Sequence, residues 1–536
     1  MAIYHKFSFD FRDPFIEISR YRFGFRIFTP SNTYGIDPSG LTTHSEGDRQ
    51  VVRAAGLTWA GGQETAPGGV EAQFRASQGG IEWTVRAWGP EPIKAIATLL
   101  PSIPLGRIAH YDSAYQDPGE GEHLFYYPHS GRRYGTSISS PLLIIQPPED
   151  GLLFVQSLDR AVRPKRFYLK PRGESFRLEL IAEEEARRWA ADWTSPPWRI
   201  ARAETTGEIY RTHHSHLEEA YGLVPWEARA DLPDWIKETQ LVLSLHGTHW
   251  TGYVFNSYAQ MLEILRWVSS RIEGRRVLVY LPGWDGRYYW DYPRYEAYDR
   301  MGGEEGFRRL IGDGQAMGFR FMPMFSINSS NRYDPRFRQY QEGLAHWPDG
   351  QPSWIDFVDW DNDRSVEAWQ PLMNIGAPAW RELLLSRIAR VVEDYGADAV
   401  FLDIAHFWQN DPRWNMYEGT VQLVEALRER FPRLLISGEW YYDALLGLFP
   451  LVQGPGDPAL YPGGLTRYVR SFGHLSHPAP GLGSTGVHEF GFRGFDAASL
   501  KLREDQIPTV TVVDDTFQSH REVLAEIIDR AAERGS

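Results

Sequence analysis

GADAVFLDIAHFW, residues 396–408, is the stretch that decides the fold. Ala399 to Leu402 read as a strand buried on both faces, and the run ends on a carboxylate, Asp403. A short apolar run bounded by turn residues is the mark of a parallel-sheet strand. Such a strand has no local use for a terminal charge, so Asp403 is expected to serve something at the strand end. Similar runs recur around it: LVLSLHG (241–247), RVLVYLPGW (276–284), FRFMPMFSI (319–327), LLISGEW (434–440) and TVTVVDD (509–515). Amphipathic helices are expected near 258–271, 304–317, 378–395, 417–430 and 520–534. Strands alternating with helices over 235–536 predict a (β/α)8 TIM barrel. Six strands are clear; the sixth and seventh positions fall somewhere between Leu451 and Phe492.

The first 203 residues have another texture. FSFDF (7–11), RFGFRIF (22–28), GIEWTVRAW (80–88), LLIIQ (142–146), LLFVQSL (152–158), RFYLK (166–170) and SFRLELIA (175–182) are short alternating or aromatic runs. Turn segments such as PPEDG and KPRGES separate them, which predicts a β-sandwich. EEEARRWAADW (183–193) is expected to be a helix leading out of it. Residues 204–234 read as a connector. Its HHSH (213–216) has the look of a metal cluster but no carboxylate companions at a recognisable spacing, so hydrogen-bonding histidines are expected. The fold class is therefore multidomain α+β: an N-terminal β-sandwich (1–203), a connector (204–234) and a barrel (235–536).

Composition narrows the function. A chain of 536 residues is too long for one hydrophobic core. The lack of cysteine excludes disulfides, zinc–thiolate sites and cysteine nucleophiles. A formal net charge of −14 argues against nucleic acid as a partner. No run approaches the roughly 18 apolar residues of a membrane helix. MAIYHKFSFDFRDPF has no apolar core of signal-peptide length, so a cytoplasmic location is expected. Aromatic residues make up 14%, with 20 Trp and 27 Tyr. That suits a ligand of flat, partly apolar rings with hydroxyl edges, such as a sugar. No cofactor is required, and the sequence leaves the oligomeric state open.

In such a barrel the site lies at the C-terminal strand ends. Reading only those ends gives His246, His249 and Trp250; Trp284 and Asp285, then a loop with Trp290; Asn328 and Asn331; Asp403 and His406; Glu439 and Trp440; Asp514 and Asp515. Adjacent strands lie about 4.8 Å apart. Asp403 and Glu439 can then approach the ~5–5.5 Å of a retaining glycosidase, with Asp403 as nucleophile and Glu439 as acid/base. Trp284, Trp290 and Trp440 are candidate sugar contacts, the first two as stacking platforms. Asp285, Asn328, His406, His488 and Asp514 are candidates for holding hydroxyls or supporting the transition state. Asp359, Asp361 and Asp363 have calcium-loop spacing, but Arg364 stands where the loop needs glycine and Gln370 where it needs glutamate. A substrate-facing or solvated acidic loop is expected there. Two rival readings remain. HGTHW suits a metal-dependent hydrolase, although its histidines are three apart rather than two. A non-catalytic carbohydrate-binding protein would keep the aromatic surface and not need Asp403.

The run PLMNIGAPAWRELLLSRIARVVEDYGADAVFLDIAHFW resembles the approach to the fourth strand in the α-galactosidase and α-glucosidase group of glycoside hydrolases. The shared features are Met373-Asn374, Trp380-Arg381 and Asp398 five residues before Asp403. SGEWYYD is similar to the fifth-strand Gly-Glu of the α-amylase and endo-α-N-acetylgalactosaminidase groups, where the glutamate is the acid/base. The resemblance implies a sandwich before a catalytic barrel, an α-linked sugar, and Asp403 as nucleophile. The patterns differ on the acid. The α-galactosidase group uses an aspartate from a later strand, for which Asp457 in QGPGDP is the candidate. The α-amylase group expects arginine where Phe401 stands, and His-Asp where this chain has His488-Glu489. Asp457 and Glu489 thus stay open as alternatives to Glu439.

Overall fold

Side chains two apart on a strand point the same way, and Ile81, Trp83, Val85 and Ala87 on the strand Gly80–Ile93 are all buried. The computed structural model describes residues 14–128, 135–148, 151–249, 252–286, 290–356, 369–455, 467–474, 506–513 and 516–533. The chain divides into two compact units, Met1–Ala220 and Tyr221–Ser536.

In the first unit, Arg49–Trp59, Glu64–Ser77, Gly80–Ile93, Trp198–Ala203, Leu152–Ser157, Leu142–Gln146 and Arg107–His110 pair in that order, antiparallel throughout. A second antiparallel series runs Tyr21–Phe28, Ala95–Pro104, Ser175–Glu183, Lys165–Arg172 and His123–Tyr127. Thr33–Ile36 pairs with a strand of each series. The two layers meet through aromatic side chains. The Phe23 ring lies 4.8 Å from Phe74 and 5.2 Å from Trp83, and Trp83 Nε1 donates to Thr98 Oγ1 at 3.0 Å. This is a sandwich-like domain.

EEEARRWAADW is not the expected helix. Ala186–Arg188 forms a single 3-10 turn, and Ala190–Thr194 is a strand pairing with Gly80–Ile93. Glu183, Glu184 and Glu185 are buried, bound to Arg166, Arg163 and Arg187 in turn. The pairs of Glu183 and Glu184 reach arginines outside the stretch and hold its start extended, against helix propensity. HHSH lies on the helix Thr206–Tyr221 and bonds to protein groups. His213 contacts Ser140 Oγ at 2.7 Å and Gln156 Oε1 at 2.9 Å, and His214 contacts the Tyr111 hydroxyl at 2.8 Å.

The second unit is built on β1 (Leu241–Leu245), β2 (Val277–Leu281), β3 (Arg320–Ser326), β4 (Ala399–Asp403), β5 (Leu435–Glu439), β6 (Leu451–Pro455), β7 (Arg470–His474), β8 (Gln506–Ile507) and β9 (Thr509–Val512). Each of β1 to β7 pairs in parallel with the next, β7 pairs with β8, and β9 pairs back onto β1. The result is a nearly closed parallel barrel of nine runs, with Pro508 alone between the last two.

The helices outside it carry clear start and stop signals. Ser257 and Gln260 form a capping box at the head of Tyr258–Ser269. Asn415 caps Met416–Arg430. Pro378–Tyr395 starts on proline and stops at Gly396, whose φ of 74° returns its N–H to the Val392 carbonyl. Gly396 therefore turns the chain out of the helix, and β4 follows. Asp398 anchors the start of that strand by accepting from Phe321 N and Arg320 Nη1. The interior is packed: Tyr280 and Phe401 rings lie 4.8 Å apart, and Phe472 sits 6.0 Å from Phe401. Among the described residues no helix is long and apolar enough to cross a membrane.

Candidate active site

Phe401 points into the packed barrel, so Asp403, two residues on, points the same way one layer higher. The register pairs Ser326 with Asp403 and Leu402 with Gly438, which sets Asp403 and Glu439 level on adjacent strands. Asp403 is 3% exposed. The two carboxyls hydrogen-bond to each other.

Burial pushes the Glu439 carboxyl up to about 7, and hydrogen bonds from Ile404 N–H and with Asp403 only partly offset it. Ile404 N–H donates to Glu439 Oε2 at 3.0 Å. His406 Nδ1 lies 3.2 Å from the Glu439 carbonyl and 3.5 Å from its Oε2.

The residue after each carboxylate has a left-handed backbone: φ is 60° at Ile404 and 50° at Trp440. For a side chain with a Cβ this costs about 1–3 kcal/mol, most for a β-branched one. Neighbours hold both in place. Asn328 Nδ2 donates to the Ile404 carbonyl at 3.0 Å, and Trp440 N–H donates to the Gln453 carbonyl at 2.7 Å. The turn lets each strand end on an inward carboxylate and then leave the barrel at once.

The other expected contacts divide. Trp284 is no stacking platform: it is fully buried, stacked 4.7 Å from the Phe307 ring, and its Nε1 donates to the Met324 carbonyl. Packing of β2 against the helix Gly303–Ala316 claims the ring. Asn328 is likewise fully buried, its donor committed to Ile404, so it does not offer that group to a hydroxyl. Asp285 is buried, and burial holds its carboxyl well above the usual range. Its Oδ2 has no hydrogen-bond partner among the described residues. Trp290 is half-buried, its ring 5.8 Å from Tyr333. Trp440 is exposed, 6.0 Å from the His406 ring.

His488, Asp514, Asp457, Glu489 and the acidic loop at 359–363 lie outside the described residues. His246 and His249 are buried against Phe255, at 5.5 and 5.4 Å, and burial lowers His249 to about 4. Among the described residues no group of three or more histidines and carboxylates could hold a metal ion.

Three residues at this face were not among the individual candidates named from the sequence. Tyr295, with φ 48°, accepts from Ser326 N–H at 2.9 Å, and burial raises its hydroxyl well above the usual range. Tyr333 is exposed in the loop after β3. Gln453 on β6 stands level with Glu439. The strand-end rule finds Gln453 once β6 is placed, Tyr295 belongs to the aromatic-rich loop that holds Trp290, and nothing local marks Tyr333.

No protein-family model and no curated relative matches the chain. Solved structures do share its fold. The α-N-acetylgalactosaminidase NagBb from Bifidobacterium bifidum aligns with a TM-score of 0.65 at 13% identity, over 97% of this chain and 93% of its own. A GH31-family sulfoquinovosidase from E. rectale gives 0.58 at 12% identity, over 97% and 80%. The GH36 α-galactosidase AgaA from Geobacillus stearothermophilus gives 0.52 at 10% identity, over 97% and 74%. The sandwich-like domain and barrel thus have the fold of structures that are glycoside hydrolases.

Proposed function

We propose that the protein is a retaining glycoside hydrolase acting on an α-linked sugar, with Asp403 as nucleophile and Glu439 as acid/base. One observation carries this reading: two carboxyls meet at adjacent barrel strand ends, where burial raises the Glu439 carboxyl. Asp403 attacks the anomeric carbon and forms a glycosyl-enzyme. Glu439 gives its proton to the leaving oxygen, then takes one from the water that releases the sugar. For a sugar to reach Asp403 the direct bond between the carboxyls must open. Glu439, with its side chain 15% exposed, is the partner with room to swing.

The α preference follows the activities named for the similar structures. Trp290, Tyr333 and Trp440 form the aromatic rim of the sugar site. Asp285, a buried carboxylic acid, and His406 hold hydroxyls, as do His488 and Asp514. Counting β8 and β9 as one strand interrupted at Pro508 makes the barrel eight-stranded, the (β/α)8 form.

The direct hydrogen bond also favours a second assignment. A retaining pair normally stands about 5–5.5 Å apart on opposite sides of the sugar. If Glu439 only shares a proton with Asp403, the acid is a third carboxylate, and Asp457 just beyond β6 is the candidate.

Leaving-group dependence separates the two. Wild type, Asp403→Asn, Glu439→Gln and Asp457→Asn are assayed on aryl α-glycosides with good and poor leaving groups, with and without azide. Asp403→Asn should lose activity on all of them. The acid variant should lose about 10²–10⁴-fold on poor leaving groups, keep the good ones, and be rescued by azide. That pattern in Glu439→Gln supports the first assignment, and in Asp457→Asn the second. Undiminished activity in Asp403→Asn overturns both.

A further inference from the structure

A chain of hydrogen bonds crosses from the loop after β3 to the end of β5. Met373 N–H donates to the Asn328 carbonyl at 2.8 Å, Asn328 Nδ2 donates to the Ile404 carbonyl at 3.0 Å, and Ile404 N–H donates to Glu439 Oε2 at 3.0 Å. The middle link is strained, because Ile404 is β-branched and has φ 60°. Such a residue relaxes to negative φ unless its surroundings forbid it. Relaxation would swing the Ile404 N–H away from Glu439.

We propose that Asn328 is a positioning residue: its amide pins the Ile404 carbonyl and so keeps the Ile404 N–H aimed at the Glu439 carboxyl. The rest of the amide fits this role. Asn328 is fully buried, and its Oδ1 has no hydrogen-bond partner among the described residues. The Nδ2 bond is therefore what sets the side chain. An N–H aimed at a carboxyl favours its ionised form and opposes the effect of burial. Titratable groups that face Glu439 among the described residues include Asp403 on β4 and His406 in the loop after it. From β6 the group level with it is Gln453, which is uncharged.

The test is the titration of the Glu439 carboxyl in the full-length protein. Infrared difference spectra across pH follow the protonated carboxyl band, assigned by its loss in Glu439→Gln. Asn328→Ala should move the titration up by about 1 pH unit, the scale of a lost charge-assisted hydrogen bond. Asn328→Leu keeps the volume, removes the donor, and substitutes if the alanine variant does not fold. Glycine holds a left-handed φ without help. The double variant Asn328→Ala/Ile404→Gly should therefore titrate closer to wild type. An unshifted titration in Asn328→Ala, or no recovery in the double variant, overturns the proposal.

The catalytic consequence rests on Glu439 being the acid; the titration does not. If Glu439 is the acid, the alkaline limb of kcat/KM moves up with the titration in Asn328→Ala. A shifted titration with an unmoved limb keeps the positioning role and rejects Glu439 as the acid.

Discussion

Burial and hydrogen bonding pull the Glu439 carboxyl in opposite directions, and burial wins. A general acid must carry its proton, so kcat/KM should fall as pH rises through about 7. A rate profile from pH 5 to 9 checks this, and a flat profile counts against Glu439 as the acid. The same shift bears on stability. Folded Glu439 holds its proton more tightly than the unfolded chain does, whose value is near 4.5. The stabilisation is complete below that value and is lost as pH rises to about 7. Glu439→Gln, neutral throughout, should melt close to wild type in acid and above it at pH 8. A calorimetric Tm series that shows the reverse order rejects the raised carboxyl. Asp403 and Glu439 were legible in the sequence because strand-end position and residue type are both local facts. The roles of Trp284 and Asn328 were not. Phe307 and Ile404, which claim them, are distant in sequence, and only the folded barrel brings them together.

Elements repeat the lesson with backbone in place of side chains. The ends of Pro378–Tyr395 and the start of β4 could be read because proline and glycine punctuate them locally. EEEARRWAADW could not, since the ion pairs of Glu183 and Glu184 with Arg166 and Arg163, outside the stretch, hold its start extended. Two glycines make the argument testable. A Cβ on Gly438 would lie 2.6 Å from the fully buried Phe449 ring, which has nowhere to retreat. Gly438→Ala should cost about 1–3 kcal/mol by overpacking and should also lower kcat, because the displaced backbone carries Glu439. Gly396→Ala is strained for a different reason, its φ of 74°. It should cost about 1–2 kcal/mol and leave kcat unchanged, since it acts at the far end of β4. Denaturant melts alongside steady-state rates separate the two. Equal loss of kcat in both would mean that general loosening, not the position of Glu439, is what the Gly438 variant reports.

Across the whole molecule, the alternation of strands and helices after residue 235 made the barrel readable, and its weak point was β6 and β7. LVQGP and RSFGH carry Gln453, Gly454, Pro455 and Ser471 in place of continuous apolar residues, so periodicity alone does not reveal them. The aromatic excess, by contrast, was legible as a number but not as a location. Among the described residues, many of the aromatic side chains are buried in one core or the other. The large apolar side chains left exposed among the described residues are Trp59, Val224, Tyr253, Tyr333 and Trp440. The last three follow β1, β3 and β5, so they sit in loops at the same end of the barrel as Asp403 and Glu439. Exposed aromatic rings in loops at the carboxylate end of the barrel suit the faces of a sugar better than they suit folding. Tyr333→Ala and Trp440→Ala should therefore each raise KM for an oligosaccharide about fivefold, the effect of losing one aromatic contact of ~1 kcal/mol. Exposed side chains add little to folding, so each variant should change stability by less than about 0.5 kcal/mol. Steady-state kinetics and thermal melts on the same preparations decide the matter. A drop in Tm with KM unchanged would make these rings packing elements of the loops and would remove the aromatic rim from the proposed sugar site.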